Sequence, residues 1–279
     1  METGRASRTA LSVAQRRAVH QVLEHPPVLA DPVAIPLLGP RFACDAVRES
    51  GRIARAVRAF MAARSRYAED RLAEAVARGV GQYVVLGVGL DTFAYRNPFA
   101  HLRVFEVDLP ATQEWKRALL AEAAIAVPAD LTVVPIDFEA ETLGAALERA
   151  GFDTGKPAFF GWLGVTPYLT PDAFRSTLAA IAHLPTGSGV SLDYALAPEN
   201  FGPIRRMAFE QLARRMAAAG EPFRLSFTPE KLDEEFRRAG FRAFAQHDAD
   251  ELNARYFAGR ADGLLLPSPG LGRLATAWV

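Results

Sequence analysis

Apolar residues recur along this chain with two different periods. Between residues 81 and 196, short and largely apolar runs, unbroken at 83–86, alternate with longer stretches in which apolar positions return every three or four residues. The short runs, at 83–86, 102–108, 131–137, 157–161 and 188–196, are rich in β-branched and aromatic residues, as strands buried on both faces are. The longer stretches, at 111–126, 139–150 and 171–183, read as helices, with Pro110 suited to a first turn and Thr170 to a cap. Strand and helix in alternation at short intervals predict a doubly wound, mainly parallel sheet.

The flanks have other textures. Leu11, Ala14, Ala18, Val22 and Leu23 give residues 8–24 a helical stripe that stops before Pro26-Pro27. Residues 26–40 mix proline with apolar side chains, too irregular for one helix and too apolar for a free linker, so they are expected to pack over a pocket. Helical character returns over 45–78, with a break expected at Gly51. After the fifth strand, a basic amphipathic helix over 199–220, carrying Arg205, Arg206, Arg214 and Arg215, interrupts the alternation. It reads equally as a cover for a substrate or as a surface helix. Thr228 then caps a helix over 229–239, and strands are expected at 241–245 and 271–279. We read residues 1–279 as one domain: a helical cap (1–80), a core (81–196), a lid-like insertion (197–228) and the end of the sheet (229–279).

Composition narrows the function classes. Thirty-two basic and 32 acidic residues cancel, so no net field draws the protein to nucleic acid or to an anionic membrane, and a small-molecule partner is expected. No apolar run is long enough to span a bilayer. The single cysteine, Cys44, fits a reducing compartment, and residues 1–17 are polar and basic without the apolar stretch of a secretion signal. Both point to the cytoplasm. The five histidines are scattered without metal-ligand spacing, so no metal site is expected.

The first strand ends in Gly87-Val-Gly89, where missing β-carbons allow a sharp turn and close approach to a ligand. A dinucleotide fingerprint would place a third glycine at position 92, but Thr92 stands there, which favours a ligand without a pyrophosphate. The second strand ends in Glu106 and Asp108, two apart and so on one face, and either could accept ribose hydroxyls. An adenosine-containing cofactor is implied. Asp137 could contribute to that site or cap the helix that follows it. Arg64, Ser65, Arg66, Glu69 and Asp70 form a charged cluster that, taken alone, reads as a solvated helix face laced with ion pairs.

Several motifs taken in order extend this picture. Ala63-Arg-Ser-Arg-Tyr-Ala-Glu-Asp70, Leu86-Gly-Val-Gly-Leu-Asp-Thr92 with Tyr95-Arg96, Phe105-Glu-Val-Asp-Leu-Pro110, Pro135-Ile-Asp-Phe138, Gly164-Val-Thr-Pro-Tyr-Leu-Thr170 and Gly220-Glu-Pro-Phe223 span most of the chain. Together they resemble the S-adenosylmethionine-dependent leucine carboxyl methyltransferases and the related polyketide-type O-methyltransferases. The resemblance implies a Rossmann-like fold with S-adenosyl-L-methionine as cofactor. It implies that Arg64 pairs with the methionine carboxylate, that Gly87 and Gly89 let the loop lie against the cofactor, that Asp108 holds the ribose, and that Asp137 and Phe138 bracket the adenine. Two positions depart from the family pattern: Leu163 replaces the usual glutamate before Gly-Val-Thr, and Phe93 replaces an arginine common after Asp-Thr. The implied reaction is methyl transfer to an oxygen, read here as a carboxylate of a small metabolite. A phenol or enol acceptor is the alternative, as is a cofactor-binding protein of this fold without turnover. Such a displacement can rest on positioning alone, so no catalytic residue is assigned.

Overall fold

The computed structural model describes residues 8–42, 51–136, 141–218 and 220–279. Within them, one seven-stranded sheet collects β1 (Gln82–Leu86), β2 (Arg103–Asp108), β3 (Leu131–Pro135), β4 (Phe159–Trp162), β5 (Gly189–Ala195), β6 (Ala243–His247) and β7 (Gly272–Trp278). Their order is β3-β2-β1-β4-β5-β7-β6. The first five strands are parallel, and β7 enters antiparallel between β5 and β6. The order reverses beside β1, which makes the carboxyl end of β1 the switch point where open sheets of this kind bind ligands. The expected fold class, a Rossmann-like doubly wound and mainly parallel sheet, is the one observed.

The period of two along each strand divides the side chains between two helical layers. Val84, Leu86, Phe105, Val107, Phe160 and Trp162 face α5 (Leu143–Arg149), α6 (Pro171–Ala182) and α8 (Pro229–Ala239) in the larger core. Tyr83, Val104 and Phe159 face the other way, against Leu72 and Ala75 of α3 (Arg52–Ala77). On that side Glu106 of β2 meets Lys116 of α4 (Pro110–Glu122) at 2.7 Å, both side chains almost wholly buried.

The N-terminal α1 (Arg8–Leu23) forms as its apolar stripe predicts, and the proline-bearing stretch after it contains a short helix, α2 (Ala34–Leu38). Leu37 and Leu38 of α2 join Ala14 and Ala18 of α1 and Leu119 and Leu120 of α4 in a separate cluster with Leu90. The predicted break at Gly51 is the start of α3, while the expected helix upstream of it, with Cys44, lies outside the described residues. The helix expected from 139 is observed from Leu143, where Thr142 accepts a hydrogen bond from the Ala145 N–H. The basic helix is α7 (Pro203–Ala218), preceded by a single tight turn at Pro198–Asn200, and Phe209 is its one buried side chain among the described residues. A helix not expected from the sequence, α9 (Ala249–Tyr256), follows β6. Its signal was present: Asp248 and Glu251 form a reciprocal capping box. No helix among the described residues is long and apolar enough to cross a membrane.

The Glu106–Lys116 pair gives a test of this packing. Removing one partner of a buried pair strands the other charge, at a cost of about 3–5 kcal/mol. Lys116→Met should therefore lower unfolding stability by about that amount, measured by urea titration, and Glu106→Leu added to it should recover most of the loss. Equal stability of Lys116→Met and the wild type would show that the pair is solvated.

Candidate functional site

The loop after β1 turns through two left-handed residues, Gly87 at φ +62° and Gly89 at φ +51°. A β-carbon on Gly87 would lie 2.4 Å from Val165 Cγ2, and one on Gly89 would lie 3.1 Å from Ala10 Cβ. The loop is thus closed in on one side by the segment after β4 and on another by α1. Its N–H groups are used within the sheet: Gly87 and Val88 donate to the Val107 carbonyl at 2.8 and 3.1 Å, and Gly89 donates to Asp108 Oδ2 at 2.7 Å. One turn of 3-10 helix, Phe93–Arg96, follows in place of an α-helix. There is no helix N-terminus here to hold a pyrophosphate, which agrees with the missing third glycine.

Asp108 stands at the end of β2, half-buried. Burial raises its carboxyl above the usual range, while the Gly89 and Leu109 N–H groups pull it down. Each oxygen accepts one backbone hydrogen bond, from Gly89 and from Leu109 at 2.7 Å each, and the Thr112 hydroxyl also bonds to the carboxylate, which still leaves acceptor capacity for a hydroxyl donor. Glu106 does not share that role. Its carboxylate is held by Lys116 inside the protein, which corrects the expectation that either acid could receive a ribose. The strand period places both on one face, but α4 covers one and leaves the other at the open end.

Arg64 is also not where a solvated helix face would put it. Arg64 and Ser65 are buried on α3, whereas exposed Arg66 pairs with Asp70 at 2.8 Å as an i,i+4 bridge. Arg64 Nη1 meets Asp193 Oδ2 of β5 at 2.9 Å, and Asp193 Oδ1 accepts from the Gly164 N–H at 2.5 Å. Gly164, at φ +71°, leaves the guanidinium room: a β-carbon there would lie 3.0 Å from both terminal nitrogens. Arg64 Nε is buried with no hydrogen-bond partner. Tyr168, further along the same segment, feels the charges of Glu221, Arg64 and Asp193, and burial pushes its phenol up to about 12.

The structure thus gathers Arg64, Gly87, Gly89 and Asp108 along the carboxyl ends of β1, β2, β4 and β5. Asp137 and Phe138 lie outside the described residues. Asp193 was missed in the sequence, because an acid within an apolar strand gives no sign of its partner. Around the loop runs a second set of charges. Arg17 of α1 donates to Asp31 at 2.7 Å, to Thr92 Oγ1 at 2.9 Å and to Asp91. Burial alone would raise the Asp91 carboxyl, but Arg17 and Arg96 hold it well below its usual range. Arg96 in turn grips Glu69 of α3 through both terminal nitrogens, at 2.8 and 2.5 Å. Thr9 of α1 bonds to Glu221, just beyond α7.

A cavity of about 210 Å³ opens at the carboxyl end of β5, lined from α7 by Arg205 and by none of Arg64, Gly87, Gly89, Asp108 or Asp193. Phe201, Phe227 and Leu196 give it apolar walls, and Arg205 and Arg273 give it cations. Arg205 lies over the Phe201 ring at 4.2 Å and donates to the Gly270 carbonyl, with no carboxylate partner among the described residues. Arg273 pairs with Asp248 at 3.2 Å, and exposed Asp250 sits at the rim. No group of three or more metal-ligating side chains occurs among the described residues.

The model of the leucine carboxyl methyltransferase family matches residues 10–182. YktD of Bacillus subtilis (strain 168), assigned by name as an S-adenosyl-L-methionine-dependent methyltransferase, is 35% identical over 205 residues, which cover 72% of this chain and 67% of that protein. A similarly named protein of Mycobacterium avium (strain 104) is 41% identical over 129 residues, 46% of this chain and 41% of its own length, so less than half of that relative is matched. Among solved structures, a methyltransferase from Thermobifida fusca YX superposes with a TM-score of 0.62 at 19% identity, covering 99% of this chain and 96% of that one. A protein from Streptomyces avermitilis MA-4680 gives 0.59 at 18%, covering 98% and 97%. At these identities the two structures share the fold.

The left-handed turn at Gly87 can be tested apart from any ligand. Gly87→Ala should lose about 1–2 kcal/mol for the backbone conformation and more for the clash with Val165. Adding Val165→Ala should return the second part and not the first, as read from denaturation midpoints. A neutral Gly87→Ala would mean that the loop has another conformation.

Proposed function

The chain belongs to the leucine carboxyl methyltransferase family, with S-adenosylmethionine as its cofactor, and we propose that it carries the methyl group to a carboxylate oxygen of a small metabolite. The observation that carries the cofactor's placement is the joint position of Asp108 and Arg64 on either side of the glycine loop. Asp108 has lone pairs for the ribose hydroxyls, and the unpartnered Nε of Arg64 is a donor suited to a carboxylate. Gly87 and Gly89 let the backbone come close. Asp137 and Phe138 are assigned to the adenine by the family resemblance.

When bound, the cofactor supplies a methyl carbon made electrophilic by its sulfonium. The protein's part is to orient the acceptor and exclude water. An acceptor carboxylate has a pKa near 4 and is already an anion at neutral pH, so no base is required. Tyr168, whose phenol burial pushes up to about 12, is poorly suited to take a proton from a phenol in the physiological range. The cavity at the carboxyl end of β5, with Arg205 unmatched by a carboxylate among the described residues, supports an anionic acceptor.

Calorimetric titration with S-adenosylmethionine tests the cofactor assignment: the wild type should bind, and Gly89→Leu should not. Binding unchanged in that variant would remove the loop from the site. For the acceptor, kcat under saturating cofactor should be nearly flat between about pH 6 and 8 if chemistry limits turnover. Arg205→Ala should raise the acceptor KM about ten- to hundredfold with the cofactor affinity unchanged. A rate rising tenfold per pH unit, with an aryl ether as product, would point to a phenol instead.

A further inference from the structure

The pair formed by Arg64 and Asp193 is joined more loosely than several other arginine–carboxylate pairs in the chain. Arg58 grips Glu24 through Nε and Nη2, and Arg175 grips Glu235 through Nε at 2.9 Å and Nη2 at 2.8 Å. Arg96 and Glu69 are likewise joined fork to fork. Arg64 and Asp193 share the single Nη1–Oδ2 contact, although each side chain is only 8% exposed. The guanidinium keeps an unused buried Nε, and the aspartate is steadied on its other oxygen by the Gly164 N–H. Buried Arg17 also meets each acid through one nitrogen, but it divides its donors among Asp31, Asp91 and Thr92, whereas the contact made by Arg64 is the single one to Asp193, which leaves donors for a second anion.

Next to this pair is a position with no acid. Leu163 lies between the end of β4 and Gly164, so an ammonium group brought to this loop finds no carboxylate from that residue. Asp193 is the acid whose side chain bonds to the loop. Gly87 touches Val165, the residue after Gly164, so the pair adjoins the wall of the glycine loop. A cation beside an anion, both buried and singly joined, matches the amino-acid end of S-adenosylmethionine, which carries one carboxylate and one ammonium.

We infer that Asp193 binds the ammonium of the cofactor's methionine moiety while Arg64 binds its carboxylate, the internal ion pair opening to receive the zwitterion. The inference rests on the cofactor reading above. Electrostatically the exchange is balanced. A zwitterion adds no net charge to the site, and each protein ion trades one opposite charge for another, so neither is left unpaired in a dry environment. Asp193 thereby supplies from β5 the acid that position 163 lacks.

The test uses three ligands in calorimetry: S-adenosylmethionine, its deaminated analogue without the ammonium, and its decarboxylated analogue without the carboxylate. The wild type should bind the deaminated analogue about ten- to hundredfold more weakly than the cofactor. Asp193→Asn should lose about the same factor toward the cofactor and nothing further toward the deaminated analogue, so the preference disappears. Arg64→Ala should erase the preference against the decarboxylated analogue. Asp193→Glu should restore part of the discrimination, which a purely structural role would not do. Two results would overturn the inference: an Asp193→Asn protein that keeps its preference for the ammonium, or one that weakens both ligands equally. If the variant does not fold, the wild type decides, since equal affinity for cofactor and deaminated analogue overturns the inference as well. A wild type that binds none of the three would instead remove the cofactor reading on which the inference rests.

Discussion

The buried guanidinium of Arg17 is the constraint on which the rest of this architecture depends. A charge held at 4% exposure must be answered by acceptors in fixed places, and Arg17 finds them in Asp31, Asp91 and Thr92. Those residues belong to three separate stretches of chain: α1 supplies the cation, the proline-bearing segment supplies Asp31, and the exit of the glycine loop supplies Asp91 and Thr92. Arg96 continues the chain of charges to Glu69 of α3, and five residues earlier on that helix is Arg64. Satisfying Arg17 thus ties the helical cap to the loop, and Arg96 ties the end of the loop to α3. Leaving out any carboxylate would strand a charge in the interior, which is why this part of the molecule should behave as one unit.

The sheet was legible because its evidence is local. A run such as Tyr83 to Leu86, closed by Gly87, carries its own period and its own stop signal, and the same holds for β2 through β5. Acid placement at the end of β2 could be read as well, though not which acid would be free, since that depends on α4 and Lys116 covering Glu106. Arg64 shows where local reading fails. Charged side chains on a helix are ordinarily solvated, and its burial follows from Asp193, 129 positions away and on a strand that otherwise reads as apolar. Helix α9 was missed for a different reason: its capping box was in plain view, but eight residues give too little periodicity to notice.

The geometry after β1 also explains why a glycine-rich loop need not mean a nucleotide phosphate. Phosphate sites of this type use free backbone N–H groups and the positive end of a helix. Here the N–H groups of Gly87, Val88 and Gly89 are spent on β2, and a single 3-10 turn follows. Glycine serves in this loop to permit the turn and the close approach of Val165 and Ala10. What the loop offers a ligand is contact surface and the carboxylate of Asp108, a set suited to a neutral sugar.

The pairing of Arg64 with Asp193 also bears on how the reaction would end. The cofactor and its demethylated product differ at sulfur and are identical at the amino-acid end. With Arg64 and Asp193 binding that end as proposed, spent and fresh cofactor would be held by the same two contacts, and the pair would give no help in telling them apart. Discrimination would then have to come from the sulfonium charge, and to the extent that it did not, the enzyme would be subject to product inhibition. Its turnover would depend on whatever removes the spent cofactor from solution.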